Sequence, residues 1–212
     1  MSAPSGAGKT SLSEHLLANV SQIQRTISCT TRAPRNHEVD GVDYFFVTDA
    51  EFDTKVSGSE FLEWAEVHGH RYGTPSAEIE RIHANGDDAV LVIDVQGAES
   101  VRRELPQSVT VFVLPPARQA LIERLEGRDG LGGGEGRELR LRVAADEIAE
   151  YVKYDYVVVN DDFDFAAAEL VAIVRAERCR RQRRQAEAER LLADFRAVTS
   201  GPDSNANRTA GD

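Results

Sequence analysis

The sequence predicts an α/β fold: a parallel sheet flanked by helices, with a small mixed subdomain inserted into it. Three observations carry this prediction. Short apolar runs rich in β-branched residues alternate with helical patterns, the arrangement expected of a parallel sheet covered on both sides. A glycine-rich loop opens directly into an amphipathic helix. Residues 26 to 88 have a different texture, with shorter strands, frequent turns and clustered aromatics.

The chain of 212 residues is the length of one domain, and its 41% hydrophobic content can bury a core without disulfides or structural metal. Its 25 basic and 36 acidic residues leave a net charge of −11. That field repels nucleic acid and anionic membranes, so neither is expected as a partner, and any phosphate ligand must be met by a local positive cluster. Cys29 and Cys179 lack the number and spacing of a disulfide or metal framework. No apolar stretch reaches membrane-spanning length, and the polar start is not a signal peptide. A soluble, cytoplasmic protein is expected.

In chain order, residues 3–10 form the glycine-rich loop, and Leu12, Leu16, Leu17 and Val20 then mark one face of a helix. The inserted region holds Tyr44, Phe45, Phe46, Phe52, Phe61, Trp64 and Tyr72. Buried strands are expected at Ala89–Val95, Val109–Leu114 and Tyr156–Val159, each followed by a turn signal or a helical pattern. Leu121, Ile122 and Leu125 share a second helical face, and the glycine cluster from Gly130 to Gly136 suggests a mobile flap. Asp162 is placed to cap a helix running to about Ala197. Its Arg175–Arg190 stretch, with Glu187 and Glu189 interleaved, reads as a solvated, ion-paired face. Residues 199–212 have the composition of a disordered tail.

The loop Ala3-Pro4-Ser5-Gly6-Ala7-Gly8-Lys9-Thr10 matches the phosphate-loop pattern G-x-x-x-x-G-K-[ST], with Ala3 in place of the first glycine. Small residues let successive N–H groups curl around phosphate oxygens, and the helix N-terminus adds partial positive charge. Lys9 can reach the β- and γ-phosphates, and the Thr10 hydroxyl can ligate Mg²⁺. Such a loop normally follows a central strand, and only Met1 and Ser2 precede Ala3. Either the fold lacks a central strand, which would leave neighbouring strands with unpaired N–H and C=O groups, or the first strand is truncated because Met1 is an internal start that follows a short apolar strand; the second is expected.

Farther on, Arg32 and Arg35 with Tyr44 form a candidate forked anion site, because guanidinium pairs match phosphate bidentately. A solvated basic turn is the alternative. Asp94 ends an apolar run, where α/β sheets present ligand groups. An unpaired buried carboxylate is costly, so an indirect Mg²⁺ contact or an acceptor-site hydrogen bond is expected there.

Taken in order, S-A-P-S-G-A-G-K-T, then S-x-T-T-R-x-P-R…E-V-x-G-x-D-Y from Ser28 to Tyr44, then F-L-E-W-A-E-V-x-G-x-x-Y-G-T from Phe61 to Thr74, resemble guanylate kinase. The similarity continues through Ile93–Gly97, Arg124–Arg128 and Val159–Asp162, and spans about residues 1 to 195. The resemblance implies the P-loop NTPase-type fold of the nucleoside monophosphate kinases, and ATP-dependent phosphorylation of GMP to GDP with Mg²⁺ in purine nucleotide metabolism. ATP would lie on Pro4, Ser5, Gly6, Ala7, Gly8, Lys9, Thr10 and Ser11. Asn160 resembles the family's adenine contact, with a plain turn residue as the other reading. The acceptor phosphate would be held by Arg32, Arg35, Tyr44 and Tyr72. Guanine would be read by Ser28, Glu63 and Thr74, with Asp94 also on the GMP side. One carboxylate can accept from both N1–H and the exocyclic amine of guanine, whereas adenine would leave it unpaired. A lone glutamate on a helix is usually solvated, so Glu63 takes its role from the motif alone.

Arg124, Arg128 and Arg142 flank the glycine cluster, in the stretch that the resemblance makes a lid over ATP; with Lys9 and Arg32 they would stabilise the transferring phosphoryl. The implied organisation is a core of residues 1–27, 89–118 and 147–198, a GMP-binding subdomain 28–88, a lid 119–146 and a tail 199–212. Four departures stand out. Val92 replaces a frequent acid. His37 takes a usual glycine position and would be strained at positive φ. The glycine-rich lid looks long, which raises the entropic cost of closure. The first strand is missing. A non-catalytic guanylate-kinase-like interaction module is the rival reading, disfavoured by Gly6, Gly8, Lys9, Thr10 and Asp94. A phosphotransferase with another acceptor is disfavoured by Glu63 and Thr74 beside the arginine pair.

Overall fold

A computed structural model describes residues 1–67, 69–129 and 135–199. The chain forms two compact units, one of residues 1–171 and one beginning at residue 172.

In the first unit, α1 (Lys9–Asn19) leaves the glycine-rich loop and buries Leu12 and Leu16. Two parallel strand pairs follow from the apolar runs: β1 (Ile23–Arg25) with β6 (Asp88–Val90), and β7 (Val111–Leu114) with β8 (Tyr156–Val159). Met1 and Ser2 lie between the pairs. The Ser2 N–H donates to Val111 O at 2.9 Å, and Val113 N–H donates to Ser2 O at 2.8 Å. On the other side Ile93 N–H donates to Met1 O at 3.2 Å, and the Met1 amine donates to Leu91 O at 2.8 Å. The unpaired groups expected beside a missing strand are thus satisfied at these positions. This also explains why β6 is shorter than the predicted Ala89–Val95: ladder pairing with β1 stops at Val90, and Leu91–Ile93 turn to Met1. β7 likewise begins at Val111 rather than Val109.

A second sheet, in the order β3-β2-β5-β4, comes from the aromatic-rich region. It contains β2 (Cys29–Thr30), β3 (Phe45–Phe46), β4 (Phe61–Val67) and β5 (His70–Pro75). In β4 the side chains alternate. Glu63 and Ala65 are buried, while Trp64 and Glu66 face outward. Glu63 therefore sits on a strand rather than a helix, with Thr74 as its cross-strand partner. The helix α2 (Asp49–Ser57) is closed by a Thr48/Glu51 capping box. It drops Phe52 onto Phe61 and Trp64 at ring-centroid distances of 4.6 and 6.2 Å. α3 (Ser76–Ala84) returns the chain to β6.

Asp94 caps α4 (Val95–Glu104), accepting from Gly97 N–H at 2.8 Å. Ile93, Ala98 and Val101 form a core cluster that Leu62, Leu91 and Tyr154 join. α5 (Arg118–Asp129) and α6 (Glu135–Ala149) pack through Leu121, Leu125 and Ala144. The glycine-rich segment 130–134 and the predicted tail 200–212 lie outside the described residues.

Two expectations need correction. β8 is not buried throughout: Val158 is 1% exposed, but Val157 and Val159 are 42% and 48% exposed. Successive side chains of β8 point to opposite faces, and only the face that carries Val158 is covered. The single helix expected from Asp162 is two helices, α7 (Phe163–Arg178) and α8 (Arg181–Thr199). Asp162 does cap α7, accepting from Phe165 N–H at 2.9 Å. At its end the helix tightens, with Cys179 N–H bonding to Ala176 O and Arg180 N–H to Glu177 O. α8 carries the expected ion-paired face, including Arg184–Glu187 at 2.7 Å.

Candidate active site

The loop between Ser2 and α1 takes its shape from two residues in left-handed conformation, Gly6 at φ 87° and Gly8 at φ 93°. A Cβ on Gly8 would also collide with the Asn160 amide. The loop is braced from behind. Asn160 Nδ2 donates to Ala7 O at 2.8 Å, and Arg124 donates to Asn160 O at 3.0 Å and to Ala7 O at 3.4 Å. Lys9 Nζ donates to Ile93 O at 2.9 Å, which ties it to the chain just before Asp94. Glu147 of α6 lines the cavity along with the loop residues, and burial pushes its carboxyl pKa up.

The second sheet supplies the opposite wall. Arg32 follows β2 and is fixed on several sides. Its Nη1 and Nη2 each reach Glu38 at 2.9 Å, Nη1 also donates to Ala33 O at 2.7 Å, and Nε donates to Tyr72 OH at 3.3 Å. The same Glu38 carboxylate accepts from Arg35 N–H at 2.8 Å. The Arg32 guanidinium holds Glu38 below the usual carboxylate range. Tyr44 stands edge-on to Tyr72 at 5.9 Å, and burial pushes its hydroxyl pKa up.

Deeper in this wall runs a chain of hydroxyls ending on an acid. Ser28 Oγ and Thr74 Oγ1 lie 3.2 Å apart, and Thr74 Oγ1 donates to Glu63 Oε1 at 2.5 Å. Glu63 is 6% exposed. Burial pushes its pKa up to about 7; the Thr74 hydrogen bond opposes this, and the charge of Asp94 adds to it. Gly97 makes room for the acid, since a Cβ there would collide with the Glu63 carboxylate.

The two walls enclose one cavity of about 830 Å³, a size typical of small-molecule sites. On the loop side it is lined by Pro4, Ser5, Gly6, Gly8, Lys9, Thr10 and Ser11. On the other side stand Ser28, Arg32, Arg35, Tyr44, Glu63 and Tyr72, with Asp94 and Arg124 also at the wall. Thr74 is fully buried and touches the cavity through Glu63 and Ser28.

Several predicted site residues lie elsewhere. Ala7 is buried with its carbonyl braced, and Asn160 turns its amide to that carbonyl instead of lining the cavity, because buried amide donors must be paired. Arg142 is exposed and does not line the cavity. α6 turns Ala144 inward, and a residue two positions away falls on the far side of the helix. The Arg128 side chain lies outside the described residues. His37 is not strained: among the described residues, only Gln22 and Ser59 are non-glycines at positive φ. Val92 lines the cavity as an apolar wall.

Two acids were missed by the sequence reading. Glu38 follows an Arg-x-x-Arg pair in a proline turn, and that proximity was the available signal. Glu147 had none, because nothing local in α6 marks the residue that lines the cavity.

A family model described as guanylate kinase matches residues 1–177. Among curated proteins, the chain is 44% identical over 196 residues to a guanylate kinase of Symbiobacterium thermophilum, covering 92% of each. It is 47% identical over 204 residues to one of Hahella chejuensis, covering 96% of each. Among solved structures it is similar to the guanylate kinase of Anaplasma phagocytophilum, with a TM-score of 0.66, 36% identity and 84% of each chain covered.

Proposed function

This chain belongs to the guanylate kinase family, and we propose that its reaction, the ATP-dependent phosphorylation of GMP to GDP, proceeds by direct in-line transfer across the cavity between the two walls. The observation that carries this reading is the pairing of a main-chain phosphate loop with an arginine–tyrosine cluster beside a buried acid, all facing one space. The ATP phosphates lie along the Ser5–Ser11 loop, with Lys9 on the β- and γ-oxygens. The GMP phosphate meets Arg32, Arg35, Tyr44 and Tyr72. The bonds of Arg32 to Tyr72, Ala33 and Glu38 use four of the five guanidinium N–H groups, so Glu38 fixes the plane of the fork and one N–H remains for phosphate.

Guanine enters the Ser28–Thr74–Glu63 chain. The Glu63 carboxylate accepts from N1–H and the exocyclic amine, and burial makes that match selective, because adenine leaves the acid unpaired. Arg124 lies close enough to the loop to stabilise charge on the phosphoryl in flight. Asn160 acts through Ala7, as a brace for the donor loop.

Thr10 and Asp94 are oxygen donors on the cavity wall, the ligand class Mg²⁺ takes alongside waters and substrate phosphates. Asp94 Oδ1 is engaged in the α4 cap, and Oδ2 has a long 3.5 Å contact with Gln96, which suits an indirect contact through water. Bound there, Mg²⁺ would neutralise charge on the β- and γ-phosphates. The reaction belongs to purine nucleotide metabolism, with the cytoplasm as its setting. Among the described residues, no helix is long and apolar enough to cross a membrane.

A coupled assay of ADP release tests the reading. Release from ATP should depend on GMP, exceed that with AMP or UMP, and fall about a hundredfold or more in Lys9→Ala. Equal release with AMP, or an active Lys9→Ala variant, would refute it.

A further inference from the structure

Residues 26–28 carry the main chain from one sheet to the other. Thr26 still belongs to the first: its N–H donates to Val90 O at 3.1 Å, one step beyond the β1–β6 ladder. Ser28 already belongs to the second, its carbonyl accepting from Phe45 N–H at 2.9 Å. Ile27 lies between them. Beyond Val90 the partner chain turns to Met1, and the Ile27 N–H donates instead to Glu78 Oε2 at 3.0 Å.

Glu78 is buried in the first turn of α3, the helix that follows β5 and its Thr74 directly. The same two pieces of chain are therefore tied twice, at adjacent steps: Ser28 Oγ with Thr74 Oγ1 at 3.2 Å, and Ile27 N–H with Glu78. Arg81 holds the carboxylate in place. Its Nε donates to Oε1 at 3.0 Å and its Nη2 to Oε2 at 3.1 Å, while Nη1 donates to Gln24 Oε1 of β1 at 3.1 Å. The guanidinium holds the Glu78 carboxyl below the usual carboxylate range against the opposing effect of burial, so an ionised acceptor faces Ile27 at neutral pH. A main-chain N–H binds a carboxylate more strongly than it binds a carbonyl, so the crossing is held more firmly than a ladder would hold it.

We propose that Glu78 is a positioning residue for the acceptor base: by fixing Ile27 it fixes the direction of the Ser28 hydroxyl, so that Ser28 and Thr74 meet guanine with their oxygens already in place. The φ and ψ angles of the crossing are soft. Without the Glu78 bond Ile27 can rotate, and Ser28 Oγ swings from Thr74 while Cys29 and Thr30 stay paired with β5. GMP must then restore the geometry as it binds, at a cost in affinity. Glu78 acts on the nucleotide only through Ile27 and Ser28.

The proposal rests on the reading of Ser28 as a guanine contact, and a double-mutant cycle separates the two. The KM values for GMP and ATP are measured for the full chain, Glu78→Ala, Glu78→Gln, Ser28→Ala and the Glu78→Ala/Ser28→Ala double variant, with thermal midpoints recorded. KM does not depend on the folded fraction, so lost stability alone leaves it unchanged. Glu78→Met, which fills the space without an acceptor, replaces the alanine variant if that one does not fold. Each single alanine variant should raise the GMP KM about tenfold, the scale of one hydrogen bond, with the ATP KM within about twofold. The double variant should also stay near tenfold (about), because Glu78 acts through the hydroxyl that Ser28→Ala removes. Glu78→Gln keeps an oxygen for the Ile27 N–H and should stay within about threefold of the unsubstituted chain. A double variant at about thirtyfold or more overturns the proposal, since independent effects multiply to about a hundredfold. So does a GMP KM within about twofold in Glu78→Ala, an equal rise for ATP, or a glutamine variant as impaired as the alanine one. An unchanged GMP KM in Ser28→Ala would instead refute the reading of Ser28, and this inference with it.

Discussion

Replacing Glu63 by glutamine isolates the acid proposed to read the base from everything else in its wall of the cavity. The carboxylate is 6% exposed and keeps one oxygen on Thr74 at 2.5 Å. Glutamine has the same shape and keeps one acceptor, but turns an amide donor toward a guanine donor. The loss is one charge-assisted hydrogen bond, about 1.5–3 kcal/mol, plus an unpaired donor, about 1–3 kcal/mol. Together these are about 2.5–6 kcal/mol, so the GMP KM should rise roughly 60- to 20,000-fold, with the ATP KM nearly unchanged. The pH dependence provides a second signature. In the unliganded protein the Glu63 pKa is pushed up to about 7, whereas guanine needs the carboxylate. GMP binding therefore releases a proton, and affinity should improve as pH rises from 6 toward 8. The GMP phosphate itself titrates near pH 6 (roughly), but it does so equally in Glu63→Gln, so the difference between the two profiles belongs to Glu63. The linkage to stability has the opposite sense. A carboxyl whose folded pKa is raised stabilises the unliganded fold fully below its unfolded value near 4.5, and that contribution is lost as pH climbs through about 7. The ADP-release assay at pH 6 to 8.5, with GMP and AMP as acceptors, reads the kinetic effects. A GMP KM within twofold of the unsubstituted enzyme, or an unchanged GMP-over-AMP preference, would refute the reasoning.

Glu38→Ala removes the bidentate partner of Arg32, whose side-chain exposure in the pair is 13%. The freed guanidinium loses its fixed plane, so the GMP KM should rise about tenfold with ATP binding within about twofold, measured by the same assay. Gly97→Ala places a methyl group against the Glu63 carboxylate from the first turn of α4. Helix propensity alone favours alanine by about 1 kcal/mol, so an unchanged or higher thermal midpoint together with a raised GMP KM and a weaker base preference is expected. A normal GMP KM in that variant would show that Glu63 has room to move.

Residues close in the chain announced the parts of this site that local chemistry builds. The phosphate loop was legible because its glycines, Lys9 and Thr10 serve one short stretch of backbone, and the two left-handed glycines are where the loop demands them. Asp162 was legible as a cap because a cap bonds three residues away. The acceptor wall was legible only through its order of motifs. Alternation in β4 decides that Glu63 points inward, and its register against β5 decides that Thr74 meets it.

The sequence by itself determined the α/β class and the glycine-rich loop, and it singled out Ser28, Glu63 and Thr74, which the structure links in one chain. Tertiary structure alone decided which groups are already spoken for: Arg32 by Glu38, and the Ala7 carbonyl by Asn160 and Arg124. It also decided that Arg142 faces solvent and that α7 ends at Arg178 with no glycine or proline to announce it. The physical reason is the same in each case. Caps and phosphate loops satisfy their polar groups within a few residues, whereas a buried donor or acceptor far from any local partner takes whichever group the packing of other elements brings within 3 Å or so.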